Sequence, residues 1–383
     1  MKLLVVDHNA VDPLSQTLYR AISGEGDIQV RVIVPSLWFD NYRTLRAEAV
    51  KGGEMFEVVP LPVLFHNRTH RMLYGGIRAQ LREFHPDLLY VNAEPENFQT
   101  LECAMMVGRY PGVRFVFSTW RNIDYSGGGF PYRLSLLHAF SERFVLRRAD
   151  HAVAFVPEAR AIFSRRGFDR LTWIPPEVDT SVFTPSLTRK SDSGDVFTVG
   201  YAGRLNPLKG IDLLLGAIAG LPFDFRLLVV GGGPEEAALH ARCASLGLED
   251  RVVWRHPVAR ERMPEVLNEM DVLVLPSRTG QYWKEQFGRV LVEAMACGVP
   301  VVGSDSGAIP SVIGDAGQVV PEGDIPALRD ALISLRNDPR LRQRYIQRGL
   351  YRASRNYAVP VVADRYRRLM RSVAEGSTRS LDI

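Results

Sequence analysis

Cysteine is scarce: the 383 residues include three, Cys103, Cys243 and Cys297. An odd number at wide spacing forms neither a disulfide framework nor a zinc-binding pattern, and a reducing cytoplasm is the compartment it suggests. Long apolar runs are missing too. No stretch approaches the roughly 18–20 residues that a membrane-crossing helix needs. The first apolar run, residues 3–6, stops at Asp7; it is too short for the core of a secretion signal and reads as a buried strand. Charge of one sign is nowhere concentrated. Residues 1–185 carry 21 basic against 20 acidic residues, and the remainder 26 against 23. Nucleic-acid binding calls for a basic stripe, so no nucleic-acid partner is expected. The small excess, +4 overall, suits phosphorylated substrates or at most peripheral contact with an anionic membrane. His66 and His70 lie four apart but lack a third ligand, and no metal site is expected.

What the chain does have is alternation. Short runs of Val, Ile and Leu recur between amphipathic stretches. In the first half the pattern predicts strands at 3–6, 30–34, 88–91, 115–117 and 152–156, with helices at 12–22, 78–84 and 132–148. Asp12-Pro13 reads as an N-cap with proline in the first turn, and His85-Pro86 as a stop. Residues 175–195 are rich in Pro, Ser, Thr and Asp and keep no apolar period, so they mark a linker. Beyond it, strands at 197–201, 226–230, 252–254, 272–275 and 299–302 alternate with helices at 208–219, 234–246, 261–270 and 287–297. The chain is helical again from 325 to about 373. This is the signature of an α/β protein with two doubly wound, mostly parallel sheets. The expected division is 1–180, a linker at 181–195, 196–355, and a terminal helical segment, 356–383. Such sheets bind ligands at the carboxyl ends of their strands, so a site in a cleft between the domains is expected.

The densest chemistry lies in KEQFGRVLVEAMACGVPVVGSDSGAIPSVI, which starts at Lys284. Glu285 and Glu293 flank Phe287-Gly288 at the start of a helix. The free amides and dipole of a helix start attract a diphosphate, and Gly288 lets the backbone approach it. Val290, Leu291, Ala294 and Met295 form the apolar stripe; Glu293 lies off it, able to accept ribose hydroxyls. Glu285 precedes the helix and is placed for hydroxyls of a sugar. The alternative is a buried βαβ unit with two solvated glutamates. A second cluster is VGYAGRLNPLKGIDLLL, where Arg204 follows a strand and Lys209 comes five residues later. Arginine grips phosphate oxygens in pairs and lysine acts as a point charge. Gly231-Gly232-Gly233 lacks the G-x-G-x-x-G spacing of a nicotinamide site.

These segments, together with LLVVGGGPEEAAL, MDVLVLPS and IPPEVDTSVFTP, resemble the retaining glycosyltransferases of family 4, which have the GT-B fold: two Rossmann-like domains facing each other across a cleft. The resemblance covers about 174–333, and the first half matches in rhythm alone; it implies that the terminal segment, 356–383, crosses back to the first domain. It implies transfer of a sugar from a nucleotide diphosphate sugar, UDP before GDP, to a hydroxyl acceptor, with retained anomeric configuration. No metal or other cofactor is obligatory in that scheme. Arg204 and Lys209 would neutralise the leaving diphosphate, and Glu285 would contact the donor sugar. Glu293 would bind the ribose. Gly203, Gly232, Gly233, Val258, Phe287, Gly288, Arg289 and Val290 would line the donor pocket. The acceptor is expected to be a carbohydrate, a lipid-linked group or a natural-product precursor, and the location cytoplasmic, including the cytoplasmic face of a membrane. A GT-B epimerase or phosphorylase, or a non-catalytic nucleotide-sugar-binding subunit, is the alternative.

The first half departs from the family. Where a glycine pair is common after the first strand, the chain reads DHNAVDPLSQ, with His8 and Asn9 at the loop. Where a histidine is frequent, Trp120, Arg121 and Asn122 stand. These five are the acceptor-side candidates: Trp120 to stack on a sugar, Arg121 to bind an acidic acceptor. The alternative is a strand-end tryptophan in the core. Residues 127–129, three glycines, suggest a mobile lid or a plain turn. Arg143, Arg147 and Arg148 either touch anionic lipid or end a solvated helix.

Overall fold

The computed structural model describes residues 1–39, 44–51, 53–66, 68–125, 135–186 and 196–376. The glycines at 127–129, the first residues of the helix expected at 132–148 and most of the expected linker lie outside them. Two compact units emerge: Met1–Glu177 with Val359–Ile383, and Val178–Ala358.

Unit 1 is built from β1 (Lys2–Val6), α1 (Thr17–Ser23), β2 (Gln29–Pro35), β3 (Phe56–Leu61), α2 (Ile77–Phe84), β4 (Leu88–Val91), α3 (Phe98–Val107), β5 (Arg114–Thr119), α4 (Ser135–Arg148), β6 (His151–Ala154), α5 (Glu158–Ser164) and β7 (Leu171–Trp173). The parallel strands lie in the order β7-β6-β5-β4-β1-β2-β3, with Val50–Lys51 antiparallel at the edge. Side chains alternate across a strand, and the core splits accordingly. Leu3 and Val5 face one cluster with α1, whereas Leu4 and Val6 face another with α2 and α3. The terminal helix α13, defined below, supplies Val362, Tyr366, Leu369 and Met370 to the first cluster.

Unit 2 contains β8 (Phe197–Ala202), α6 (Ile211–Ile218), β9 (Phe225–Val230), α7 (Glu236–Ser245), β10 (Val252–Arg255), α8 (Met263–Leu267), β11 (Val272–Leu275), α9 (Arg289–Ala296), β12 (Val301–Ser304), α10 (Ile309–Ile313), β13 (Gly317–Val320), α11 (Ile325–Asn337) and α12 (Pro339–Arg352); α13 (Val359–Ala374) returns to unit 1. The sheet is parallel throughout, in the order β10-β9-β8-β11-β12-β13. In both units the winding reverses beside the first strand, at β1/β4 and at β8/β11, the dinucleotide-fold order.

Several expectations need adjustment. Residues 178–186, divided beforehand between the first domain and a linker, pack on unit 2: Val178 N–H donates to the Tyr357 carbonyl at 2.7 Å and Ser186 N–H to Asn268 Oδ1 at 2.8 Å. The helix expected from Asp12 begins as a short 3₁₀ turn, Pro13–Gln16, with Asp12 Oδ1 accepting from Leu14 N–H at 3.2 Å, and a separate 3₁₀ turn, His8–Val11, precedes it. The helix expected over 208–219 is divided into a 3₁₀ turn, Pro207–Lys209, and α6. No described helix is long and apolar enough to cross a membrane.

Candidate active site

The winding reversal of unit 2 brings together Arg204, Lys209 and Glu285, three of the residues expected on the donor side. Gly203 and Arg204 follow β8 and are exposed. Their loop is stitched in place: Tyr201 Oη donates to the Arg204 carbonyl at 2.7 Å, and Leu205 N–H to the Gly232 carbonyl at 2.9 Å. Gly233 stands so close that a Cβ would lie 2.2 Å from the Leu205 carbonyl oxygen. Gly232 and Gly233 therefore act through backbone contact with the Arg204 loop, and Gly232 is buried. Among the described residues no carboxylate pairs with Arg204, so its charge is available to an anion.

The broken helix start explains Lys209. Asn206 Oδ1 accepts from Leu208 N–H at 3.0 Å and caps the turn. The loop after β11 is tied to it by Arg278 N–H, 2.7 Å from the Leu208 carbonyl. Lys209 Nζ then lies 2.7 Å from Glu285 Oε2 and 4.8 Å from the centroid of the Trp283 ring. Ser277 Oγ donates to the same carboxylate oxygen at 2.7 Å. Thus two loops past neighbouring strands converge on Glu285, which is buried. The carboxylate fixes the position of the lysine at the strand ends.

Four residues after Glu285, α9 begins. Gly288 caps it with φ +76, a conformation that glycine adopts without strain. The first amides of a helix have no intrahelical acceptor and suit a phosphate. Arg289 and Val290 open the helix half-buried, and Phe287 is buried edge-to-face on Tyr357, with centroids 5.6 Å apart. Residues 291–296 are buried on every side, so the apolar stripe widens to a whole helix. Glu293 is therefore not on an open face: it is a buried carboxylate with Arg260 Nε 3.6 Å from its Oε1. Val258 is half-buried in the loop after β10, beside exposed His256. Sequence reasoning missed Ser277, Trp283 and Arg260, which share no motif with their partners and meet them only through the fold.

Unit 1 has a polar cluster at its own winding reversal. Asp7, just past β1, accepts from Tyr19 Oη at 2.7 Å and Asn92 Nδ2 at 2.8 Å, both on Oδ2, and from Asn9 N–H at 2.9 Å. His8 rests on Trp38, with ring centroids 4.9 Å apart, and burial lowers its pKa. Its Nδ1 is buried with no hydrogen-bond partner among the described residues. Asn9 is exposed.

Glu94, past β4, went unnoticed in the sequence. It accepts from Thr119 Oγ1 and Trp120 N–H, each at 2.6 Å. Burial raises its pKa to about 7, reinforced by Glu96 and opposed by Arg121.

Two acceptor-side expectations change here. Arg121 is buried and ion-paired with Glu96 and with Glu142, the latter at 2.9 Å. Its guanidinium neutralises internal carboxylates and does not project toward an acidic acceptor. Trp120 is half-buried with its ring 4.3 Å from that of Phe155, so one face packs on the core. Asn122 is buried. Among the described residues, no three His, Cys, Asp or Glu side chains are grouped to hold a metal ion.

Comparison with known proteins bears on the family and the fold. Residues 186–351 match the family described as glycosyl transferases group 1, and residues 15–177 match the glycosyl transferase 4-like domain. A D-inositol 3-phosphate glycosyltransferase of Mycobacteroides abscessus is 35% identical over 200 residues, 48% of this chain and 44% of that protein. A phosphatidyl-myo-inositol mannosyltransferase of Mycobacterium leprae is 38% identical over 188 residues, 48% of each chain. This chain thus spans about half the length of the curated relatives it matches. The sucrose-phosphate synthase structure from Thermosynechococcus elongatus superposes with a TM-score of 0.76 at 19% identity, over 98% of this chain and 100% of that one. With both halves matched and both sheets wound in the same order, the chain belongs to the family 4 glycosyltransferases of the GT-B fold.

Proposed function

We propose that this protein transfers a sugar from a nucleoside diphosphate sugar to a hydroxyl acceptor, with retention at the anomeric carbon and without an obligatory metal ion. The observation that supports this most is the arrangement of Arg204 and Lys209 past β8 with Glu285 past the neighbouring strand β11, on the segment that leads into α9. As the bond between the anomeric carbon and the diphosphate oxygen breaks, negative charge grows on the diphosphate. Arg204 and Lys209 stabilise that charge through preorganised contacts. The acceptor oxygen forms the new bond, and its proton passes to the departing phosphate. Glu293 and Glu285 accept from ribose and sugar hydroxyls.

UDP-sugars are the first donors to try and GDP-sugars the next. The names of the two relatives point to acceptors that carry an inositol phosphate head group, free or lipid-borne. The reading places the protein in the cytoplasm or on the cytoplasmic face of a membrane, where three unbridged cysteines stay reduced.

The test is an initial-rate assay with UDP- and GDP-hexoses and inositol phosphate acceptors in EDTA, with the product anomer read by NMR. Transfer with retention is the expected result. Free sugar release without transfer, dependence on inorganic phosphate, or loss of activity in EDTA would overturn the corresponding part.

A further inference from the structure

Two neighbouring pieces of unit 1 leave large apolar side chains in solvent. One is the hairpin that pairs Val63–Leu64 with Leu73–Tyr74. Leu64 and Phe65 stand out at its tip, and Phe65 is 58% exposed. Phe65 also takes φ +56, a conformation that disfavours a bulky residue, so the backbone spends strain on turning an aromatic ring outward. The other is α4. Leu136 is 85% exposed and Phe140 59%, with Leu137 beside them. The pieces meet: the His70 ring of the hairpin lies 5.5 Å from that of His138 on α4.

Charge is arranged around this apolar group. Leu136, Phe140, Arg143 and Arg147 fall at i, i+4, i+7 and i+11, along one face of the helix. Arg143, Arg147 and, on the hairpin, Arg68 are exposed. Residues 63–74 contain no acid, and α4 contains one, Glu142. Glu142 points inward to Arg121 and Arg166 at 2.9 and 2.7 Å. The outer face is therefore apolar at one end, basic at the other, and free of carboxylates. Exposed apolar groups rimmed by cations fit the boundary of an anionic bilayer, where rings and aliphatic chains enter the acyl edge and guanidinium groups reach phosphates.

We propose that this hairpin and the outward face of α4 form a docking surface for a membrane that contains anionic lipid. The proposal rests on the reading above that the protein meets a membrane-borne acceptor, and it names the surface that does so.

The test is co-sedimentation of the full chain with vesicles of phosphatidylcholine alone and of phosphatidylcholine mixed with phosphatidylglycerol. The variants are Phe65→Ser/Leu136→Ser/Phe140→Ser and Arg143→Glu/Arg147→Glu, with circular dichroism and Tm checked for each. The native chain should bind anionic vesicles roughly tenfold better than neutral ones. The apolar triple variant should lose most binding, and the charge variant should lose the anionic preference, with folding intact in both. Equal binding by native chain and folded triple variant overturns the proposal, as does absence of vesicle binding by the native chain. So does a native dimer that the triple variant converts to monomer, because the face would then belong to a second copy. Stabilisation by UDP and GDP is followed in parallel. Vesicle binding without nucleotide binding would remove the transferase reading alone; the converse would remove the docking surface alone.

Discussion

Two arginines illustrate how the same residue type serves opposite ends. Arg204 is exposed and without a carboxylate partner among the described residues, whereas Arg121 is buried between Glu96 and Glu142. Removing a member of a buried ion network leaves uncompensated charge and costs about 3–5 kcal/mol. Arg121→Ala should therefore lower Tm by many degrees in a thermal melt. Arg204→Ala should leave Tm within about a degree or two, since exposed positions contribute little to stability. Its kcat should nevertheless fall by about 10²–10³, the usual cost of one charge-stabilising donor.

Glu94 makes a pH prediction at the same scale. Its folded pKa, about 7, lies above its ordinary value of 4.5. The folded protein therefore holds this proton more tightly than the unfolded chain between those values. Stability from this group is fully present below about pH 4.5 and is lost as pH rises toward 7. A Tm series from pH 5 to 8 should show native protein falling relative to Glu94→Gln, with the difference level above pH 7. A constant difference across the series would contradict the raised pKa of Glu94.

At the scale of elements, the site depends on loops that touch backbone to backbone. The Arg204 loop and the 231–233 loop leave no room for a side chain at Gly233. Gly233→Ala must push the two loops apart, and nucleotide Kd should rise at least tenfold with a modest fall in Tm. Titration calorimetry reads both the affinity and any loss of heat.

Much of this layer was legible. Strand β11 and the span of α9 follow from Val/Leu runs and from the apolar stripe Val290, Leu291, Ala294 and Met295, and Glu285, Arg204 and Lys209 sit in recognisable strings. Other elements were not. Strand β3 contains Pro60, which weakens a strand pattern, and β7 has only three residues. Helix α3 buries the polar Gln99 and Thr100 with Cys103, Ala104 and Val107 and leaves Met105 exposed, so its apolar residues do not mark its inner face. The partners Ser277, Trp283, Arg260 and Glu94 are invisible locally, because each is defined by a contact made across loops.

Over the whole molecule, the chain is not divided in simple sequence order. It leaves unit 1 at Glu177, builds unit 2, and returns at Val359. On return, α13 covers the face shared with α1, and Tyr366 Oη lies 3.2 Å from Tyr90 Oη in the core. Burial of each large apolar side chain is worth about 1.5–3 kcal/mol, so the four together are comparable with a typical margin of stability, about 5–15 kcal/mol. A chain ended after Ala358 should lose the fold of unit 1 and retain that of unit 2. Limited proteolysis should then leave a protected fragment near 178–358 while residues 1–177 are digested. Equal protection of both halves would show that α13 is dispensable.

The central claim is that the end of β8 and the segment leading into α9 bind a nucleoside diphosphate through Arg204 and Lys209. The most direct measurement is a thermal-shift titration of the full chain with UDP and GDP in EDTA, repeated with Arg204→Ala. At a hundred times Kd, a bound ligand adds about 2.7 kcal/mol, well above the resolution of a melt. The account predicts metal-free stabilisation by one of the two diphosphates, lost in the variant. Absence of stabilisation by either, or an equal shift in native protein and variant, would contradict it.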